Sequence, residues 1–346
     1  MSRRDWAEVV VSAALVGVAG VLVAVGATPV VRFGVAALAL AVLARLVGIA
    51  TEQLGARLGS ARAGAVQSAL GNLPELFVAL FALHEGLTGV VQAALVGSVL
   101  SNSLLVLGLA FLAGGVRHGP QRFESPRARM TATLTMLAAA TLAVPTLAHT
   151  LHTPAAVHGK ALSLICAGVL LVIFVVTLPT FLGEIPGEEH DPARWSVATT
   201  IAVLAAAAAG AVFVSDWFVS ALRPAISTLH MSQSFAGLVV VAIAGNAVEN
   251  VVGIQLAARN RPDFAVSVVV NSSLQVALAL TPVLVFLSLL FATTLTLVFP
   301  TLLAVALLLG AMVGTLVVYD GESTWEEGVI LVGLYVVIAA SFWWGT

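Results

Sequence analysis

The sequence predicts an all-α polytopic membrane protein of about eleven transmembrane helices, one N-terminal helix followed by two inverted five-helix repeats. Three observations predict it. The chain is 60% hydrophobic and 9% charged, with a mean hydropathy of +1.07, far outside soluble usage. Apolar segments of near-spanning length recur from end to end, and no polar stretch between them is long enough for a soluble domain. Finally, Gly71-Asn72-Leu73-Pro74-Glu75 and Gly245-Asn246-Ala247-Val248-Glu249 share the pattern Gly-Asn-x-x-Glu, each inside an apolar segment.

The first segment, residues 8–26, follows the basic pair Arg3 and Arg4. Ser2-Arg3-Arg4 resembles part of a twin-arginine signal but lacks its remaining residues, and the apolar run is long for a signal peptide, so a retained helix is expected. The second segment covers 29–49, the third 64–83 with Glu75, and the fourth 89–112 with Gly97-Ser98-Val99-Leu100-Ser101-Asn102. A basic loop with Arg117, Arg122, Arg127 and Arg129 leads to the fifth and sixth segments, 131–147 and 161–181. The main polar break then carries Glu184, Glu188, Glu189 and Asp191. Segment seven is 196–219, a linker covers 223–232, and segment eight, 234–258, carries Glu249. Segment nine is 264–290 with Asn271-Ser272-Ser273-Leu274-Gln275, and segments ten and eleven are 295–318 and 329–344. An acidic loop with Asp320, Glu322, Glu326 and Glu327 joins the last two. The expected division is an N-terminal helix in 1–27, a first repeat in 28–182, an acidic cytoplasmic linker in 183–194 and a second repeat in 195–346.

With the N-terminus inside, twelve of the fifteen Lys and Arg residues fall on the inner side; only Arg32, Lys160 and Arg223 fall outside. This bias sets the orientation, as expected of a bacterial-type inner membrane. A net charge of −2 gives nucleic-acid binding no support. The single cysteine, Cys166, excludes an intrachain disulfide. A homo-oligomer is left open.

Glu75 and Glu249 are 174 residues apart, and the same offset lays Gly97-Ser98 on Asn271-Ser272 and Ser101 on Gln275. The two carboxylates lie five spans apart, so the second copy crosses the membrane in the opposite sense. Inverted repeats of this kind place a binding site at the midplane between the halves. A carboxylate inside a bilayer costs about 3 kcal/mol even on lenient scales, so a repeated one points to use. Asn and Glu three apart share a helix face. Gly71 and Pro74 weaken regular helix beside Glu75 and free backbone carbonyls, as Gly245 does more mildly. Single membrane carboxylates often serve structure by bonding a neighbouring helix; the matched pair argues against that here. Ser98, Ser101, Asn102, Ser272 and Gln275 also have an ordinary reading as polar glue between helices. The acidic loops read first as solvated surface and more sharply as a cation-collecting patch. His84 and Glu85 read as interfacial. His149, His152 and His158 read as outer-loop surface rather than Zn²⁺ ligands. No Ser-His-Asp, phosphate-loop or two-His metal motif appears, which disfavours an enzyme or an ATP-driven pump.

Gly71 to Leu83, Gly97 to Gly108, Gly245 to Glu249 and Ser272 to Leu278 resemble, in that order, the signatures of the Ca²⁺/H⁺ exchanger family of the Ca²⁺/cation antiporter superfamily. The resemblance covers segments two to eleven. It implies eleven helices and two signature glutamates that bind Ca²⁺ and protons alternately, with no cofactor. The expected site is Glu75, Glu249, Asn72, Asn246, Gly71, Gly245, Ser98, Ser101, Asn102, Ser272 and Gln275. Three departures stand out. Pro74 is similar to the Na⁺/Ca²⁺ exchanger branch, Asn250 stands where the family carries His, and Asn271 where it carries Gly. The expected function is Ca²⁺/H⁺ antiport in the bilayer. The alternatives are a Na⁺-linked exchanger on the same fold and a gated cation channel.

Overall fold

The computed structural model describes residues 1–58, 70–123, 126–181 and 193–345, and among these the chain is mostly helical. The elements are α1 Arg3–Ala24, α2 Pro29–Leu58, α3 Leu73–His84, α4 Thr88–Leu100, α5 Leu107–His118, β1 Gln121–Arg122, α6 Pro126–Thr150, α7 Gly159–Phe181 and α8 Val197–Leu229. They continue with α9 Gln233–Gly245, α10 Ala247–Ala258, α11 Pro262–Gln275, α12 Thr281–Leu287, α13 Thr301–Asp320, β2 Glu322–Ser323 and α14 Trp325–Ser341. A π-helical turn at Ser101–Val106 joins α4 to α5, another at Val276–Leu280 joins α11 to α12, and a third, Ala236–Val241, lies within α9. Among the described residues, eight helices are long and apolar enough to cross a membrane, or up to nine if the bent pair α9–α10 is one span. The expected acidic linker lies outside the described residues up to position 192, as do Arg62 and positions 64–69 of the third segment.

Two compact units result. The first comprises Met1–Glu85, Ile173–His230 and Ala244–Val248. Here α2 lies along α8, and α1 and α3 pack on them. Ala36, Leu40 and Val47 of α2 and Val214, Phe218 and Leu222 of α8 are buried, and Phe33 stacks on Phe218 at 4.9 Å. One end of α1 is fixed by polar bonds. Trp195 Nε1 donates to Asp5 Oδ2 at 2.9 Å, and Gln53 Oε1 accepts from the Arg194 and Trp195 amides. Asp5 is thereby buried with a partner, as a charge must be.

The second unit comprises Gly86–Val172, Met231–Ile243 and Glu249–Thr346. Here α6 packs on α13 and α11, α5 on α14, and α4 on the π-helical turn of α9. That last crossing is very close. A Cβ on Gly97 would strike the Leu238 backbone, and one on Gly237 would strike the Val90 carbonyl. Small residues are what let membrane helices approach so closely. The strands β1 and β2 pair antiparallel, Gln121 with Ser323 and Arg122 with Glu322.

The structure differs from expectation at three places. The stretch expected as a linker at 223–232 is helical to Leu229, because Leu222 and Ala225 are buried and the helix ends only at His230, with φ 54°. Segment ten begins at Thr301 rather than at 295. The preceding residues stay non-helical, with side chains satisfying their backbone. Ser288 and Ser163 accept from the Leu295 and Leu297 amides, Thr146 from Phe299, and Gln92 donates to the Thr296 and Val298 carbonyls. The basic loop is partly helical: Arg117 closes α5, and Arg127 and Arg129 lie in the first turn of α6.

Candidate functional site

Gly71 and Asn72 form a turn, and α3 begins directly after it. Pro74 occupies the second helical position, where its missing amide hydrogen costs nothing. Glu75 is therefore the third residue of a helix, at the end whose unpaired amides and dipole favour a carboxylate. It is 3% exposed. The Leu76 amide donates to the Asn72 carbonyl at 2.9 Å, so Asn72 holds the first turn through its backbone. Within the same unit the Gly245 backbone lies against the Glu75 side chain, where an added Cβ would sit 3.4 Å from its Cβ and Cγ. Asn246, next in the chain, is 1% exposed. The first unit thus gathers Glu75 with Gly245 at a helix start.

Glu249 repeats the arrangement. Asn246 is a turn residue, α10 starts at Ala247, and Glu249 is again the third helical residue. Both α3 and α10 have 12 residues, and their starts are 174 apart. The chain bends by 65° between α9 and α10. Each carboxylate thus stands near the start of a short helix rather than in mid-helix, a feature the sequence signalled through Gly71, Pro74 and Gly245.

The second unit brings together most of the other predicted residues. Ser98, Ser101 and Asn102 are fully buried on α4 and the turn after it, and Ser272 is 4% exposed on α11. Asn102 Nδ2 donates to Ser272 Oγ at 3.0 Å, and next to it Ser103 and Ser273 share a hydrogen bond of 3.3 Å. Gln275 is the last residue of α11, beside the second connecting π-helical turn. Such turns recur at functional positions because they widen the helix and re-aim side chains. Ser103 and Ser273 were missed by the sequence reading; only their adjacency to Asn102 and Ser272 marked them. The outer histidines do not join a group of three metal-ligating side chains among the described residues.

Chemically, carboxylates, amides and hydroxyls are all hard oxygen donors suited to a Ca²⁺-like cation. A sequence model of the family described as sodium/calcium exchanger protein matches residues 28–183 and again 199–344. The chain is 34% identical over 326 residues to the Ca²⁺/H⁺ antiporter ChaA of Bacillus subtilis, covering 90% of this chain and 92% of that one. It is 31% identical over 339 residues to a Ca²⁺/H⁺ antiporter of Synechocystis, covering 90% of each. The solved structure of native YfkE superposes with a TM-score of 0.84 at 31% identity, covering 96% of this chain and 98% of that one.

Proposed function

The chain belongs to the sodium/calcium exchanger protein family, and on that premise we propose that it is a Ca²⁺/H⁺ antiporter working by alternating access, with Glu75 and Glu249 at a shared midplane site. The observation that carries this reading is the matched pair of 12-residue helices, each presenting its glutamate at the third position directly after an Asn-containing turn. The double match of the family along the chain supports eleven spans built as one helix plus two inverted repeats. The inner-side excess of arginine supports a cytoplasmic N-terminus in a bacterial-type inner membrane.

The mechanism follows from charge. Two carboxylates neutralise one Ca²⁺, and the Asn72 and Asn246 amides with the Ser98, Ser101 and Ser272 hydroxyls, backbone carbonyls and Gln275 contribute toward its about six to eight oxygen ligands. Protonating both carboxylates removes the attraction and releases the cation. Leaving both charged and empty in a low-dielectric site costs too much, so the site holds Ca²⁺ or protons. That exclusion couples the two flows. Uptake of ⁴⁵Ca²⁺ into proteoliposomes under an imposed pH gradient tests the reading. Accumulation driven by the gradient and abolished by a protonophore is expected. Uptake that needs a Na⁺ gradient would point to the Na⁺-linked reading, and conduction without proton movement to a channel.

A further inference from the structure

Two buried hydroxyls meet in the second unit. Tyr335 on α14 is 3% exposed and Ser101 is fully buried. The helix α14 packs against the π-helical turn that Ser101 opens, and the Tyr335 phenol lies within reach of the Ser101 hydroxyl, yet among the described residues neither Tyr335 Oη nor Ser101 Oγ forms a hydrogen bond of good geometry. Such groups are rarely buried without a reason, since each costs about 1–3 kcal/mol.

The packing explains how they come to face each other. The helix α14 crosses α5 at a glycine pair, where an added Cβ on Gly108 would sit 2.8 Å from the Gly328 carbonyl oxygen, and one on Gly328 2.6 Å from the Gly108 carbonyl oxygen. Tyr335 lies seven residues after Gly328 and Ser101 seven before Gly108, two turns along each helix from the crossing. The glycines draw the two helices together, and the antiparallel run then sets phenol against hydroxyl. Ser101 opens the π-helical turn, beside Asn102 with its bond to Ser272.

A neutral hydroxyl that ligates a cation offers the ion a lone pair, so its hydrogen must point away, toward an acceptor. Outer partners of this kind orient ligands at metal sites generally. We propose that Tyr335 is a positioning residue for Ca²⁺ transport: its phenolic oxygen accepts the Ser101 hydroxyl hydrogen and turns the Ser101 oxygen toward the ion. This rests on the reading of Ser101 as a cation ligand. Tyr335 itself does not touch the cation. It has the acceptor capacity that Phe in its place lacks, with the same ring for packing.

The test is a double-mutant cycle on Tyr335→Phe and Ser101→Ala, reading half-saturating Ca²⁺ and maximal exchange rate separately in proteoliposomes. Tyr335→Phe is expected to raise half-saturating Ca²⁺ about three- to tenfold, the range of one lost hydrogen bond, with the maximal rate nearly kept. Added to Ser101→Ala it is expected to do nothing more. Thermal stability in detergent checks that Tyr335→Phe folds. Unchanged half-saturation in Tyr335→Phe, or an effect that adds fully to that of Ser101→Ala, overturns the positioning role. Ser101→Ala with wild-type half-saturation overturns the ligand reading beneath it, and Tyr335 falls with it.

Discussion

Asn102 and Ser272, 170 residues apart in the chain, are joined by a buried hydrogen bond of 3.0 Å from the Asn102 amide to the Ser272 hydroxyl. Asn102 lies within one π-helical turn and Ser272 just ahead of another, in stretches whose motifs align at one offset. The bond therefore ties the Gly97–Asn102 stretch to the Asn271–Gln275 stretch inside one packed unit. Ser272→Ala removes it, and the loss of about 0.5–1.5 kcal/mol should appear as a lower melting temperature in detergent. Asn102→Ala combined with Ser272→Ala should destabilise by less than the sum of the singles. Full additivity would show that the bond contributes nothing.

The crossing of α4 with α9 predicts a steric effect. Gly97→Ala and Gly237→Ala each force a methyl into the opposing backbone, and overpacking of this kind costs about 1–3 kcal/mol. Lower yield of folded protein and slower exchange are expected. Gly34→Ala and Gly333→Ala are the controls, since nothing lies within 4 Å of either added Cβ and both sit in helices. They should be neutral or mildly stabilising. Equal damage at all four positions would contradict the close crossing.

Much of this architecture was legible in the sequence because the membrane leaves few options. Apolar length gives spans, and the placement of Gly71, Pro74 and Gly245 marked where helices restart. The non-helical run before Thr301 was illegible, since it reads as apolar as any helix. Its backbone bonds to Gln92, Thr146, Ser163 and Ser288, which are brought there only by folding. The same applies to Tyr335, which in sequence is one aromatic in an apolar helix. The hydroxyl it faces is 234 residues away.

The acidic loop at 320–327 divides into two roles. Glu327 caps α14, its carboxylate accepting from the Thr324 amide at 2.9 Å, and Asp320 accepts from the Glu322 amide at 3.0 Å. Glu326, in the same first turn, makes no such bond among the described residues. Glu327→Ala should cost about 0.5–2 kcal/mol of stability through the lost cap. Glu326→Gln should leave stability unchanged and raise half-saturating Ca²⁺ only at low ionic strength, where focusing over about 10 Å survives. An equal effect of Glu326→Gln at high salt would argue against focusing.

Asn250 follows Glu249 directly and points about 100° away around α10. Its side-chain oxygen is buried without a hydrogen-bond partner among the described residues. An amide does not titrate, whereas His takes up a proton near neutral pH. Asn250→His should therefore keep exchange activity and add a pH-dependent step to the initial rate between about pH 5.5 and 8.5. Superimposable profiles, with the same preference for Ca²⁺ over Mn²⁺ and Na⁺, would reduce position 250 to packing.

Simultaneous recording of ⁴⁵Ca²⁺ uptake and lumenal pH in proteoliposomes tests the proposal that Glu75 and Glu249 together carry both Ca²⁺ and protons. Gln keeps the shape and hydrogen-bonding capacity of Glu but cannot ionise, so it provides neither charge neutralisation nor proton return. Glu75→Gln and Glu249→Gln, each folded as judged by detergent melting, are expected to lose gradient-driven Ca²⁺ uptake and Ca²⁺-driven proton movement together. Either variant exchanging Ca²⁺ for protons at near wild-type rate would contradict the shared two-carboxylate site.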